Sequence, residues 1–488
     1  MTDFPRRVYL LNPRELKPET IAVAFAKTSR SPEPFDQIAS ELSDSSSASF
    51  HEKWVVGYGH SSVAEHAVLH IAMENVSRLA IECIESNRLA SYTEKSTRYQ
   101  KWSAQAYVLP PEIGGGPLEE AYTKACCALL DAYLDSLTAV GHLARDRFPR
   151  AEGESDARWD SRIRLQYVDV CRYLLPAAVL ANVGVTINAR ALEHAIRKML
   201  SHPLAEVRTL GAEVKRVAVA EVPTLVKYAE PNQYLQNLPA QIGAALPAVP
   251  SGGRERPQAR LLHCEPEAEL RALAAAAVRY TGAGYSQALA ALRAAAPAQR
   301  AEIARALLGG MDPHDQPLRE LEHIAYTFEA ILDQGAYFEV KRHRMMTQTP
   351  GPLSCDLGYA TPRWIEEAGF RDRYDSAMRQ AADIHQELRR RLGGDAAAYI
   401  VPNCFLRRLV FTLNLREAYQ FCELRSSANA HPAVRVFARD VAAQIRQVHP
   451  LLAGFMRLGA EADDAGQQTP FLLSDGMDAE NGKDMHAG

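Results

Sequence analysis

The sequence predicts an α+β fold made of two tandem copies of one unit, and three observations carry that prediction. The chain has 488 residues, more than one hydrophobic core ordinarily organises. Several short motifs recur in the same order in its two halves. Each half also holds a stretch of alternating apolar residues that runs into one with apolar spacings of three and four, the mark of a strand entering a helix.

Composition bounds the class. Apolar residues at 47% and charged residues at 23% match an ordinary soluble globular protein, so no large disordered region is expected. The 55 Lys and Arg nearly balance the 59 Asp and Glu, for a formal net charge of -4. No overall positive field draws the chain to nucleic acid or anionic lipid, and an anionic ligand must be held by a local arginine cluster. The eight cysteines form no C-x-x-C pair and no zinc-like spacing, so a reduced, cytoplasmic protein without a metal is expected. No apolar h-region follows Met1–Arg7 and no apolar run is long enough to span a bilayer, so a soluble, unprocessed protein is expected.

Taken in order, residues 1–240 form the first expected domain. Glu65-His66 opens an alternating segment with Ala67, Leu69, Ile71 and Met73 on one parity, read as a strand. A helix is expected from Ser77 to about Asn87. Leu175-Pro176 then precedes Thr186-Ile187-Asn188-Ala189-Arg190, and His202-Pro203 precedes Val207-Arg208. The Pro- and Gly-rich stretch within 241–258 reads as a linker. The second domain, 259–460, repeats the scheme. Glu322-His323 opens the alternation of Ile324, Tyr326, Phe328 and Ala330, and a helix is expected from Asp333 to about Arg344. Val401-Pro402 precedes Thr412-Leu413-Asn414-Leu415-Arg416 at the same Pro-to-Asn separation, and His431-Pro432 precedes Val434-Arg435. Residues 461–488 lack periodicity and read as a frayed tail.

Three arginine clusters can carry chemistry. If the run from Ser91 to Tyr99 is extended, Glu94, Ser96 and Arg98 point to one side and offer a carboxylate, a hydroxyl and a guanidinium, a set that suits a nucleotide. The same residues equally suit a solvated charged loop. Lys341-Arg342-His343-Arg344 closes the second expected helix, where the macrodipole alone favours cations and where a clamp for a pyrophosphate would also fit. Arg416 and Arg425 lie nine apart on a third helix and need not share a face, so one is expected to serve packing or an ion pair.

These residues carry a family resemblance. Gly59-His60-Ser61-Ser62 with Glu65-His66, followed by Ser91…Glu94-x-Ser96-x-Arg98-Tyr99, resembles the part of flavin-dependent thymidylate synthases that holds the R-H-R-x7-S-x-R-Y signature. The first half keeps Ser96-x-Arg98-Tyr99 but has Ser86-Asn87-Arg88 in place of R-H-R. The second half keeps Arg342-His343-Arg344 but lacks the arginine before Tyr359 and carries an insertion. Asn414-Leu415-Arg416…Leu424-Arg425…Arg435 and Asn188-Ala189-Arg190 resemble the downstream motif, as does Arg172 before Pro176, a position held by Ala398 in the second half.

The resemblance implies an antiparallel sheet flanked by many helices in each copy. It also implies FAD reduced by NADPH, with methylenetetrahydrofolate as one-carbon donor to C5 of dUMP and no cysteine nucleophile. By residue matching, Ser96, Arg98 and Arg172 would hold the nucleotide phosphate, with Glu94 near the sugar or base. Arg425 would approach the pyrimidine carbonyl and stabilise a developing enolate. Arg342, His343 and Arg344 would grip the flavin, and His60, Asn188, Arg190, Asn414 and Arg416 would line its pocket. A homodimer forming a pseudo-tetramer would reproduce the family's interfacial sites. A flavoenzyme acting on another pyrimidine nucleotide, and a non-catalytic nucleotide- or flavin-binding protein, are the alternatives.

Overall fold

The computed structural model describes residues 7–28, 31–57, 61–247 and 258–459. His60, most of the expected linker and the expected tail lie outside the described residues. In chain order the elements that frame the site are strand β1 (Val68–Ser77), helix α1 (Arg78–Glu85), β2 (Ala90–Glu94), α2 (Pro117–Arg147), α3 (Asp156–Cys171), β3 (Leu180–Asn188), α4 (Ala189–Leu200) and α5 (Ala205–Glu221). They continue with β4 (Gln258–Cys264), α6 (Ala268–Thr281), β5 (Ala325–Asp333), α7 (Gln334–Val340), β6 (Thr347–Pro350), α8 (Arg371–Leu392), β7 (Leu406–Asn414), α9 (Leu415–Arg425) and α10 (Pro432–Val448).

The fold is α+β, with two antiparallel sheets of strand order β1-β3-β2 and β4-β5-β7-β6. The copies repeat down to register. Val68 faces Asn188 and Ser77 faces Leu180 in the first sheet, while Ala325 faces Asn414 and Asp333 faces Leu406 in the second. β1 carries one residue more than β5, and the surplus is absorbed by an irregularity between Met73 and Val76. There Asn75 adopts φ 56°, a left-handed conformation that asparagine tolerates, and its N–H donates to Asn182 Oδ1 at 3.0 Å.

The alternation read from the sequence is the alternation of burial. Ile324, Tyr326, Phe328 and Ala330 are buried, as are Ala67, Leu69 and Met73, while Ile71 is half-buried. Phe328 stacks on its cross-strand partner Phe411 at 5.2 Å, which anchors the core of the second sheet.

Each strand passes into its helix through a cap. Ser77 Oγ accepts from the Ala80 N–H at 2.9 Å, and Asp333 Oδ1 accepts from the Ala336 N–H at 2.7 Å. Asn188 and Asn414 do the same for α4 and α9, each accepting at 2.9 Å. Both expected helices after the first strand end early, at Glu85 and Val340. Lys341–Arg344 therefore forms turns beyond α7 rather than its last turn. Gln348 explains the stop, because its Nε2 donates to the Val340 and His343 carbonyls at 3.1 and 3.0 Å and takes acceptors that another helical turn would need.

Two compact units divide the described residues, and they interleave along the chain. The first holds residues up to Lys95, Tyr107–Gly115 and those from Ala178 to 247. The second holds Ser96–Ala106, Gly116–Ala177 and the residues from 258 onward. The second unit therefore takes α2, α3 and the Ser96–Ala106 segment from the first half of the sequence.

Candidate functional site

β2 ends at Glu94, and the chain then turns instead of continuing extended. Ser96 causes the turn: its Oγ accepts from the Arg98 N–H at 3.2 Å and its carbonyl accepts from the Gln100 N–H at 3.1 Å. The one-sided display of Glu94, Ser96 and Arg98 that extended backbone would give does not form. Glu94 stays in the first unit, where its carboxylate meets Arg78 Nη1 at 2.6 Å with both side chains buried.

Arg98 enters the second unit. Its Nε donates to both Asp169 oxygens at 2.9 Å and its Nη2 lies 2.7 Å from Asp169 Oδ2. Its Nη1 donates to Glu339 Oε1 at 3.1 Å and to the Asn429 carbonyl at 3.0 Å. These partners take all but one of the five guanidinium N–H groups. Burial works against the Arg98 charge, but Asp169 and Glu339 outweigh it and raise its pKa.

Arg172 follows Asp169 at helical spacing at the end of α3, with its Nε 3.3 Å from Asp169 Oδ1. Its Nη1 donates to Thr97 Oγ1 at 3.2 Å and its Nη2 to the Gly335 carbonyl at 3.3 Å, and the side chain is 2% exposed. Asn403 Nδ2 holds the Arg172 carbonyl at 2.9 Å. Arg172 thus ties the Thr97 turn to the start of α7.

Glu339 lies on α7 and spans two guanidiniums. Its Oε1 accepts from Arg98 and its Oε2 from Arg425 Nη1 at 3.1 Å. Arg425, the last residue of α9, also donates from Nε to His343 Nε2 at 2.9 Å. An arginine donor requires a lone pair on Nε2, so the proton of His343 sits on Nδ1 and is directed at Glu417 Oε1, 3.1 Å away. His343 is therefore neutral. Burial lowers its pKa first, against the pull of Glu417, and Phe421 packs edge-on against the ring at 4.9 Å. Burial also lowers the pKa of Arg425, with Arg342 and Arg98 adding to that effect against Glu339.

Among the described residues, two arginine groups at this corner keep donors to spare. Arg425 Nη2 has no partner there, on a side chain 13% exposed, and Arg435 Nε is buried without a hydrogen-bond partner. His431, stacked on Tyr173 at 5.8 Å, sits among these cations. Burial first, then Arg172, Arg98 and Arg435, hold its pKa well below the ordinary histidine value. Arg342 is exposed and Arg344 half-buried.

Of the sequence-predicted residues, the second unit thus brings together Arg98, Arg172, His343 and Arg425, with Arg342 close enough to bear on Arg425 electrostatically. Ser96 shapes the turn that delivers Arg98. The remaining candidates have other partners. Asn188 and Asn414 cap helices through Oδ1, Arg190 meets Glu65 at 2.5 Å, and Arg416 meets Glu322 at 2.9 Å, one motif pairing with the same motif in each copy. Asp169 and Glu339 escaped the sequence reading, although each stands three residues from a named residue, at Arg172 and Arg342, and Glu417 entered it only as a member of the Asn414–Glu417 cluster with no role of its own.

In the first unit Lys198 Nζ reaches Asn87 Oδ1 at 2.9 Å and Ser86 Oγ at 2.5 Å. Burial lowers the Lys198 pKa.

Fold and site together define a tandemly duplicated α+β protein whose second unit gathers arginines from both halves of the sequence around buried carboxylates. The family model described as thymidylate synthase complementing protein matches this chain twice, over residues 13–224 and 260–451, and the chain belongs to that family, the flavin-dependent thymidylate synthases. A UPF0159 protein of Thermoplasma acidophilum is 27% identical over 443 residues, which cover 84% of this chain and 88% of that protein. A flavin-dependent thymidylate synthase of Clostridium tetani is 29% identical over 227 residues, covering 46% of this chain and 86% of that protein. Among solved structures, a flavin-dependent thymidylate synthase from Helicobacter pylori complexed with FAD and dUMP is 20% identical at a TM-score of 0.30, covering 41% of this chain and 99% of that chain.

Proposed function

We propose that this protein is a flavin-dependent enzyme that transfers a one-carbon unit to C5 of a pyrimidine nucleoside monophosphate, with dUMP as substrate, methylenetetrahydrofolate as donor and NADPH as reductant. The observation that carries this reading is the meeting of Arg98, Arg172, His343 and Arg425 in one unit of a chain whose two halves both belong to the family. The partnerless Arg425 Nη2 and Arg435 Nε fit anionic ligands, since a guanidinium edge of this kind offers donors to phosphate or to an enolate oxygen.

In this reading Arg425 stabilises negative charge on the pyrimidine carbonyl as C5 becomes nucleophilic. His343, held neutral by its two hydrogen bonds, fixes the angle of that guanidinium. Arg172 and Ser96 hold the Thr97–Tyr99 turn, and with it Arg98, at the nucleotide phosphate. Arg342 and Arg344 hold FAD, which when bound and reduced supplies hydride. Asn188, Arg190, Asn414, Arg416 and His60 belong to the flavin side, and Glu94 acts through Arg78, which lies beside the Lys95 carbonyl at the root of the turn. The pseudo-tetramer arises from a homodimer.

The test is a visible absorption spectrum of the purified protein, a titration with dUMP, and an assay for loss of the C5 hydrogen from dUMP, UMP and dCMP. A flavin spectrum perturbed by dUMP, with exchange at its C5, is expected. Colourless protein that stays colourless after incubation with FAD would overturn the reading, and exchange with UMP alone would move the substrate to the ribonucleotide.

A further inference from the structure

The arginines that would receive the nucleotide, Arg98 at its phosphate and Arg425 at its carbonyl, already hold an anion belonging to the chain. Glu339 places one carboxylate oxygen on Arg98 and the other on Arg425, each at 3.1 Å, and its side chain is 7% exposed. The inner corner is close to neutral as it stands. Arg98, Arg172 and Arg425 are set against Asp169 from α3 and Glu339 from α7, with Glu417 from α9 behind the neutral His343, and His431, whose backbone N–H lies 3.5 Å from Glu339 Oε2, resists protonation. The remaining positive charge comes from Arg342 and Arg435.

We infer that Glu339 is an internal anion that competes with the ligand for the facing edges of Arg98, on the phosphate side, and Arg425, on the carbonyl side, so that tight binding requires its carboxylate to give way. Asp169 is the fixed partner, because it engages Arg98 through Nε and Nη2 and Arg172 through Nε, and would keep Arg98 in place when Glu339 leaves. Glu339 is the exchangeable one, since each of its oxygens makes a single guanidinium bond and since Arg425 keeps its His343 contact without it. The consequence is a site tuned for a dianion: a singly charged ligand gains too little from two arginines to displace a carboxylate already bonded to both.

This inference deepens the function proposed above and rests on the same site, but inorganic phosphate tests it separately. Binding of inorganic phosphate and of dUMP to the whole protein is measured by calorimetry for the parent and for Glu339→Gln, which keeps the shape and removes the charge. Phosphate is expected to bind the variant roughly five- to fiftyfold more tightly, as a charged competitor is removed, and to raise its melting temperature more than the parent's. Arg98→Ala should also cost more phosphate affinity in the Glu339→Gln background than in the parent, a coupling that a purely structural Glu339 would not produce. Glu339→Ala is the second variant if the amide disturbs the fold. Should both variants unfold, refolding promoted by phosphate supports the inference and refolding indifferent to it overturns the inference. Phosphate binding unchanged or weakened in a folded variant also overturns it. If phosphate tightens but neither protein binds dUMP, the competition stands and the nucleotide reading falls.

Discussion

Arg98 shows at the scale of one residue how a binding motif becomes part of the fold. Its guanidinium joins Asp169, Glu339 and the Asn429 carbonyl, three groups separated from it by between 71 and 331 positions in sequence. Arg98→Ala would leave Asp169 with Arg172 alone and Glu339 with Arg425 alone, and about 1–3 kcal/mol of stability should be lost in addition to nucleotide affinity; urea unfolding measures the first and calorimetry the second. Arg98→Lys should recover only part, because an ammonium cannot satisfy the fork. His343 offers a separate check. With its pKa depressed by burial and Nε2 occupied by Arg425, the ring should stay in the Nδ1–H form across the range where free histidine titrates. Nitrogen chemical shifts of His343 that move to the doubly protonated form near the ordinary histidine pKa would contradict its bonds to Glu417 and Arg425. The arginines were legible in the sequence because the family motif names them. Asp169 and Glu339 were not, nor was the role of Glu417, because a carboxylate three residues from an arginine or a cap is common on any helix and only the folded chain tells which ones turn inward.

Among the elements, duplication makes predictions in pairs. Asn188 and Asn414 end equivalent strands and cap equivalent helices with equal 2.9 Å bonds. Each change to Ala should therefore cost about 1 kcal/mol, within the usual range for a lost cap, and unfolding free energies that differ strongly between the two variants would show that the copies use this corner differently. The strand pattern was readable because period two survives wherever one face is buried. The end of α7 is not legible, since nothing local announces that Gln348 will reach back to stop it at Val340. A second element-scale effect comes from Glu269 at the start of α6. It accepts the Leu452 N–H at 2.5 Å, and burial raises its pKa to about 7. A carboxyl group that binds its proton more tightly when folded stabilises the protein while protonated. That contribution is complete below the unfolded glutamate value and is lost as pH rises towards 7. Between pH 5 and 8 the parent should lose about 1–2 kcal/mol that Glu269→Gln does not lose, a figure discounted for the partial exposure of the group.

At the scale of the whole chain, the sequence reads as two domains joined by a linker, and the structure groups its residues differently. The second compact unit includes Ser96–Ala106 and Gly116–Ala177 from the first half. Repeats are visible in sequence because they preserve motifs; which copy a helix packs with leaves no motif, because α2 and α3 present ordinary apolar faces to whatever covers them. The interleaving has a direct consequence for a divided protein. A fragment of residues 258–459 alone keeps β4–β7 but loses Arg98, Asp169 and Arg172, together with the main-chain bonds from Ala177 to Val401 and from Asn403 to Leu175. Glu339 would then face Arg425 without its other cation, and the Gly335 carbonyl would lose Arg172. The loss of several buried polar partners, each worth about 1–3 kcal/mol, exceeds what a unit of ordinary stability tolerates. The fragment should be insoluble or unfolded by circular dichroism when made alone, and should fold and copurify when made together with residues 7–247. A 258–459 fragment that is folded and monomeric by itself, with a cooperative thermal transition, would mean that the segments from the first half are not part of its core.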